Sequence, residues 1–118
     1  MKTLAIRSDI PLIYTENING PEFLEKLRGV KPDVIINLGN QIFRKELLSI
    51  PNSGCINKHC ALLPLYKGIN PTLWAMADNQ PTVGVTVHFM AEKLDSGDII
   101  SQASFNLEEG VRVAEWLM

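Results

Sequence analysis

Residues 54–59, Gly-Cys-Ile-Asn-Lys-His, form a short apolar run that passes directly into polar residues. The run predicts a β-strand, and side chains two apart on a strand point to the same face. Asn57 and His59 therefore share one face. An amide that donates hydrogen bonds and an imidazole that titrates near neutral pH together suit a carbonyl oxygen that is becoming negative. We identify Asn57 and His59 as candidate catalytic residues.

A carboxylate that holds the imidazole is expected from Asp95, which lies in an Asp-Ser-Gly turn 36 positions after His59 (95 − 59). The turn follows residues 82–90, where alternation at period two predicts a strand. Thr86 and His88 share one face of that strand, opposite its valines. His88 is interpreted as a structural histidine, because no motif of its own surrounds it. Asp95 is the third candidate catalytic residue.

Hydrophobic runs predict the remaining strands. Residues 10–14 form a short apolar run. Residues 34–38 form a continuous run of the kind that a parallel strand needs when helices cover both faces, which predicts a central strand. Residues 98–105 alternate, and their brief connection to residues 82–89 favours pairing of these two strands.

Capping residues and helical spacing predict the helices. Asn19-Gly20-Pro21 supplies a cap and a first-turn Pro for a helix that Gly29 ends. Shorter helices are predicted for residues 41–48 and from Asn70-Pro71 to Ala77. Residues 106–109 have the pattern of a further helix start.

The length and charge of the chain limit its function classes. It has 118 residues, a formal net charge of −2 and 20% charged residues. We therefore expect one domain, residues 1–118, without the basic surface that nucleic acid requires. The sequence shows no leader pattern and no apolar run of about eighteen residues, which predicts a cytoplasmic protein that does not enter a membrane.

The two cysteines, Cys55 and Cys60, are expected to be reduced thiols, because strand geometry holds them beyond disulfide reach. Zinc is the competing interpretation of Cys55, His59, Cys60 and His88. Two adjacent ligands followed by a gap of 28 (88 − 60) match no structural zinc spacing. No metal site is predicted.

Several motifs occur in the order and spacing of one known family. They are Asn57-x-His59, Leu62-Leu63-Pro64, Tyr66-Lys67-Gly68, Pro71, Trp74-Ala75, Gly84-x-Thr86-x-His88 and Leu94-Asp95-x-Gly97-Asp98-Ile99-Ile100-x-Gln102. The chain resembles the folate-dependent formyltransferases over about residues 33–105. Cys60-Ala61 departs from the family pattern but leaves Asn57 and His59 unchanged. The family's usual opening strand and Gly-rich turn are not found in this sequence.

The resemblance implies a doubly wound, mostly parallel Rossmann-like α/β sheet that lacks its first strand-helix-strand. The chain would then be a partial catalytic domain, as a fragment or as a naturally shortened member. The missing strands would leave an exposed sheet edge through which the chain could self-associate.

The resemblance also implies a transferase that moves a formyl group from 10-formyltetrahydrofolate to an amine acceptor. The acceptor would be a sugar nucleotide, an amino acid or an aminoacyl-tRNA. Asn57 and His59 would stabilise the oxyanion, with Asp95 beside the imidazole. Folate-binding residues would be Gln41, Ile42, Phe43, Glu92 and Asp95. Two alternatives stay open: a formyltetrahydrofolate deformylase, in which water replaces the amine, and a truncated folate-binding module without activity.

Overall fold

The computed structural model describes residues 10–107, which form a four-stranded sheet with three helices. The strands are β1 (Ile35–Asn37), β2 (Cys55–His59), β3 (Thr82–Phe89) and β4 (Ile99–Asn106), and the helices are α1 (Pro21–Val30), α2 (Lys45–Leu48) and α3 (Pro71–Ala77). The strand order is β1-β2-β3-β4. β1 and β2 are parallel, whereas the β2–β3 and β3–β4 pairings are antiparallel, so the described part of the sheet is mixed.

Two strand predictions are wrong for the described residues. Residues 10–14 are not part of the sheet, although their composition predicts a strand. Residues 34–38 yield only the short strand β1, which lies at one edge of the sheet and not at its centre. Both differences have the same cause. A strand needs a neighbouring strand for its backbone hydrogen bonds, and within residues 10–107 no other strand lies beyond β1. Ile36 is consequently 61% exposed and Leu38 is 79% exposed.

The helix predicted for residues 41–48 is confirmed only for α2. The side chain of Asn19 explains the difference, because its Nδ2 donates to the Ile42 carbonyl (2.9 Å) and its Oδ1 accepts from the Arg44 N–H (2.8 Å). These bonds occupy backbone groups that a longer helix would use itself. Asn19 therefore fixes residues 41–44 in a non-helical conformation instead of capping α1, whose N-cap is Gly20.

Helix α1 ends one residue later than the sequence indicates. Pro21 occupies its first turn as predicted. Its last residue is Val30, and Lys31, not Gly29, adopts the left-handed conformation that follows the helix (φ 52°). The predicted helix start at residues 106–109 gives way to the end of β4 at Asn106, and residues 108–109 lie outside the described part.

The apolar core lies between α1, α2 and β2. Leu24, Leu47 and Cys55 are its buried members, and Phe23 and Phe43 are among the half-buried residues that pack on them. Burial raises the pKa of the Cys55 thiol. Cys55 and Cys60 are both free cysteines, which confirms the expected thiols.

Strand β3 buries its polar face. Gly84, Thr86 and His88 are buried, with His88 only 1% exposed, whereas Phe89 on the opposite face is 40% exposed. Polar side chains are stable in such a position only when they are hydrogen-bonded, and both Thr86 and His88 are. The predicted alternation is confirmed, and the polar residues face the interior.

Strand β4 forms the other edge of the described sheet, and all of its residues are exposed. An edge of this kind is a template for pairing with another chain, and self-association stays a prediction. Among residues 10–107, no helix is long and apolar enough to cross a membrane.

Candidate active site

Three polar residues lie side by side across the neighbouring strands β1, β2 and β3. In the ladder registers, Asn37 is opposite Asn57, and Asn57 is opposite His88. Residues in register on neighbouring strands point to the same face. Local sequence places each of these residues at or near a strand end, and strand pairing alone brings them together.

Asp95 lies beside the imidazole of His59, as the sequence predicts. Its Oδ2 is 3.6 Å from His59 Nδ1 and its Oδ1 is 3.8 Å from Nε2 of His88. The two imidazole rings are edge-on, with centroids 6.4 Å apart. All three side chains are more than 90% buried, so a charge on any of them is felt strongly by the others. Each pair becomes an ion pair when its histidine is protonated.

The loop between β2 and α3 holds both members of the His59–Asp95 pair. The Tyr66 carbonyl accepts a hydrogen bond from His59 Nε2–H (2.8 Å), and the Gly68 N–H donates to Asp95 Oδ2 (2.8 Å). Tyr66 has a positive φ of 53°, which is uncommon for a residue with a side chain. The loop therefore positions the imidazole and the carboxylate through backbone groups.

Thr86 and Gln102 anchor the start of the same loop. The Thr86 hydroxyl donates to the Ala61 carbonyl (2.6 Å) and accepts from the Leu63 N–H (3.1 Å) and from Gln102 Nε2 (2.9 Å). Gln102 Nε2 also donates to the Leu63 carbonyl (2.9 Å). These motif residues thus support the loop that leads to Tyr66.

We expect Thr86→Val to lower the free energy of unfolding by about 2 kcal/mol, because it leaves buried backbone groups at Ala61 and Leu63 without their partner. Chemical denaturation measures the change. Thr82→Val is the matched control, since the Thr82 hydroxyl makes only an exposed 3.3 Å bond to Asn106, and its effect should stay within about 0.5 kcal/mol. Equal losses in the two variants would contradict the anchoring role of Thr86.

The candidate catalytic residues line a single cleft of about 580 Å³. This size is in the range of small-molecule sites. Its wall also contains all of the residues predicted to bind folate, namely Gln41, Ile42, Phe43, Glu92 and Asp95. Within residues 10–107, no cluster of three or more His, Cys, Asp or Glu side chains is arranged to hold a metal ion.

The structure brings all the predicted site residues together, and their catalytic and binding roles stay predictions. Sequence reasoning assigned no role to Asn37 and interpreted His88 as structural, although both line the cleft. For Asn37, the available signal was a polar residue inside the apolar run of residues 34–38. For His88, the signal was the shared strand face with Thr86.

Comparison with known proteins gives one family. A family model described as "Formyl transferase" matches residues 9–113. A methionyl-tRNA formyltransferase from Clostridioides difficile (strain 630) is 40% identical to the chain over 116 residues. That match covers 98% of this chain and 38% of the relative, so the chain spans less than half of the relative's length.

Solved structures share the fold. A phosphoribosylglycinamide formyltransferase from Bacillus halodurans superposes with a TM-score of 0.84 at 24% identity, covering 96% of this chain and 62% of that chain. A formyltetrahydrofolate deformylase from Pseudomonas syringae pv. tomato gives a TM-score of 0.79 at 21% identity, covering 98% of this chain and 41% of that chain. These similarities confirm the predicted partial, Rossmann-like α/β sheet, which within residues 10–107 is mixed and not mostly parallel.

Proposed function

The chain belongs to the formyl transferase family, and on that basis we propose that it moves a formyl group from 10-formyltetrahydrofolate to an amine. The observation that carries the proposal is the meeting of Asn57, His59 and Asp95 in one cleft, with His59 Nδ1 3.6 Å from the carboxylate. In acyl transfer to an amine, an amide donor and an imidazole can stabilise the oxyanion, and a carboxylate can assist proton transfer.

The folate would occupy the part of the cleft formed by Gln41, Ile42, Phe43 and Glu92. Residues 41–44 are held there by the side chain of Asn19. Because this segment is not helical, its backbone groups other than the Ile42 carbonyl and the Arg44 N–H, which Asn19 occupies, remain available to a polar ring. Ile42 is 68% exposed, and burial of such a side chain against a ligand is favourable by the hydrophobic effect.

The reaction begins when the amine nitrogen attacks the formyl carbon, so that a C–N bond forms and the carbonyl π electrons move to oxygen. Asn57 and His59 stabilise that oxyanion by donating hydrogen bonds. Collapse of the intermediate breaks the bond to the folate nitrogen, which leaves with the electron pair. Asp95 orders a water through which the proton of the amine reaches the departing nitrogen.

His59 must exchange one contact during this step, because Nε2–H already donates to the Tyr66 carbonyl. An oxyanion would compete well for that proton, since hydrogen bonds to a charged acceptor are about twice as strong as neutral ones. Catalytic contacts often tighten only in the complex. The Tyr66 carbonyl thus holds the ring until the substrate replaces it.

Hydrolysis is the second candidate reaction. Asn57 and His59 would stabilise the same oxyanion, and Asp95 would assist the same proton transfer, whether the nucleophile is an amine or water. With water, the products would be formate and tetrahydrofolate. A third outcome is folate binding without turnover.

Release of tetrahydrofolate from 10-formyltetrahydrofolate tests the proposal. We expect release to depend on an amine, tested as a sugar nucleotide, an amino acid and an aminoacyl-tRNA. Release without any acceptor would instead assign hydrolysis. If calorimetry shows that a folate analogue binds but no tetrahydrofolate is released with any acceptor or with water, catalysis is contradicted. The chain would then be a folate-binding module.

The free thiols of Cys55 and Cys60 fit a reducing compartment, and we propose a cytoplasmic location. The proposed acceptor is a primary amine, either on a small molecule or on an aminoacyl-tRNA.

A further inference from the structure

Asn37 is a buried polar side chain at the end of β1, and it is 8% exposed. Its Oδ1 accepts from the Gly39 N–H (3.0 Å), and its Nδ2 donates to Asn57 Oδ1 (3.3 Å). Both functional groups of the amide are thus occupied by these two partners. Asn37 therefore contacts the carboxamide of Asn57, the proposed oxyanion donor, and can influence its orientation.

Asn37, Asn57 and His88 form a row of hydrogen bonds across the sheet. The direction of each hydrogen bond in this row follows from the backbone groups at its two ends. The His88 Nδ1 atom lies 2.7 Å from the Phe89 carbonyl, which accepts only, so Nδ1 carries a proton. In neutral His88, Nε2 then accepts, and the Asn57 atom 3.3 Å from it must be the donor Nδ2.

The other end gives the same direction independently. Because the Gly39 N–H donates only, the Asn37 atom that receives it is Oδ1, and its Nδ2 faces Asn57 Oδ1. The row therefore runs from the Gly39 N–H through Asn37, Asn57 and His88 to the Phe89 carbonyl. A backbone group fixes each end, and no member can reverse alone.

We propose that Asn37 is a positioning residue that fixes the orientation of the Asn57 carboxamide, so that the second Nδ2–H of Asn57 remains available to the oxyanion. The inference rests on the proposed function of Asn57. Its structural part, the orientation of the amide, does not depend on turnover.

Asn37→Asp is the isosteric test. The ionised carboxylate still accepts from the Gly39 N–H but has no proton for Asn57 Oδ1, so the Asn57 amide must rotate by about 180°. Its Oδ1 would then face His88 Nε2, which must be protonated to donate. The other titratable groups around that ring are Asp95, 3.8 Å from Nε2, and His59, with ring centroids 6.4 Å apart.

We expect two results for Asn37→Asp. The kcat of the full chain falls roughly tenfold, the equivalent of one hydrogen bond, whereas KM for 10-formyltetrahydrofolate stays within about twofold. The ¹⁵N NMR spectrum changes at neutral pH from a His88 ring protonated at Nδ1 alone to a doubly protonated ring.

Asn106→Asp is the matched control, because Asn106 uses only its Oδ1, which accepts from the Thr82 hydroxyl, and a carboxylate keeps that bond. It makes the same charge change at an exposed position. Neither kcat nor the His88 spectrum should change. If Asn37→Asp does not fold, Asn37→Leu removes the donor to Asn57 Oδ1 without a charge. Only His88 then holds the Asn57 amide, and the loss of one hydrogen bond to it should lower kcat by up to about tenfold.

An unchanged His88 spectrum in folded Asn37→Asp, recorded at a pH where the new carboxyl group is ionised, would overturn the inference, as would a wild-type kcat in either Asn37 variant. If the wild-type chain shows no turnover at all, the proposed function fails. The NMR measurement then still decides the orientation of Asn57.

Discussion

His59→Ala is expected to lower the kcat of formyl transfer by a factor of about 10² to 10³, the usual effect of removing one oxyanion donor. His59 lies between the Tyr66 carbonyl and the Asp95 carboxylate, and its ring is 6% exposed. Its loss would remove both the proposed oxyanion donor and the imidazole that lies 3.6 Å from Asp95. Steady-state kinetics with 10-formyltetrahydrofolate and the preferred acceptor measure the change.

Asp95 should be tested by Asn rather than by Ala. Its φ is 45°, in the left-handed region that Asn and Asp tolerate and that Ala disfavours. Asp95→Asn keeps an oxygen for the Gly68 N–H and removes only the charge. We expect a loss of kcat comparable to that of His59→Ala.

The double variant His59→Ala/Asp95→Asn decides whether the two residues act together. Residues that act as a unit are strongly non-additive, so the double variant should be scarcely slower than either single one. Multiplicative losses would contradict the proposed pairing. Circular dichroism of each variant checks that the fold is retained.

Gly97→Ala is expected to lower the free energy of unfolding by about 3 kcal/mol through overpacking. A Cβ at this position would lie 1.9 Å from the Phe89 carbonyl oxygen, a backbone atom that cannot rotate away. The same carbonyl accepts a hydrogen bond from His88 Nδ1–H, and the Phe89 N–H donates to the Asp98 carbonyl. The substitution should therefore also disturb the loop that carries Asp95.

Gly29→Ala is the matched control for Gly97→Ala. A Cβ on Gly29 meets no atom within 4 Å, and the residue lies inside α1. Ala should stabilise the helix by about 0.5–1 kcal/mol. Urea denaturation compares the two variants with the wild-type chain. A Gly97→Ala chain as stable as Gly29→Ala would show that the loop relaxes freely. The clash with the Phe89 carbonyl would then not determine stability.

Local sequence was sufficient where the determinant is itself local. The apolar run into Asn57 and His59 predicts β2, and the alternation of residues 82–89 predicts β3, because side chains on a strand repeat every two residues. The position of Pro21 likewise predicts the start of α1. The motif spacing was sufficient for the family and for the candidate residues Asn57, His59 and Asp95.

Local sequence failed where a distant group competes for the backbone. Residues 41–44 are not helical because Asn19 binds their backbone groups. Residues 10–14 have the composition of a strand but lie outside the sheet of the described residues. Helical spacing and apolar runs carry no information about such partners.

Sequence by itself therefore determined the family, the main elements and the three residues of the candidate site. Only the tertiary structure decided that β3 buries its polar face and that Asn37, 20 positions before Asn57, contacts its amide. The same holds for the Tyr66 carbonyl on His59. The physical reason is that hydrogen-bond direction depends on strand register and loop path, which are fixed by contacts between residues far apart in the chain.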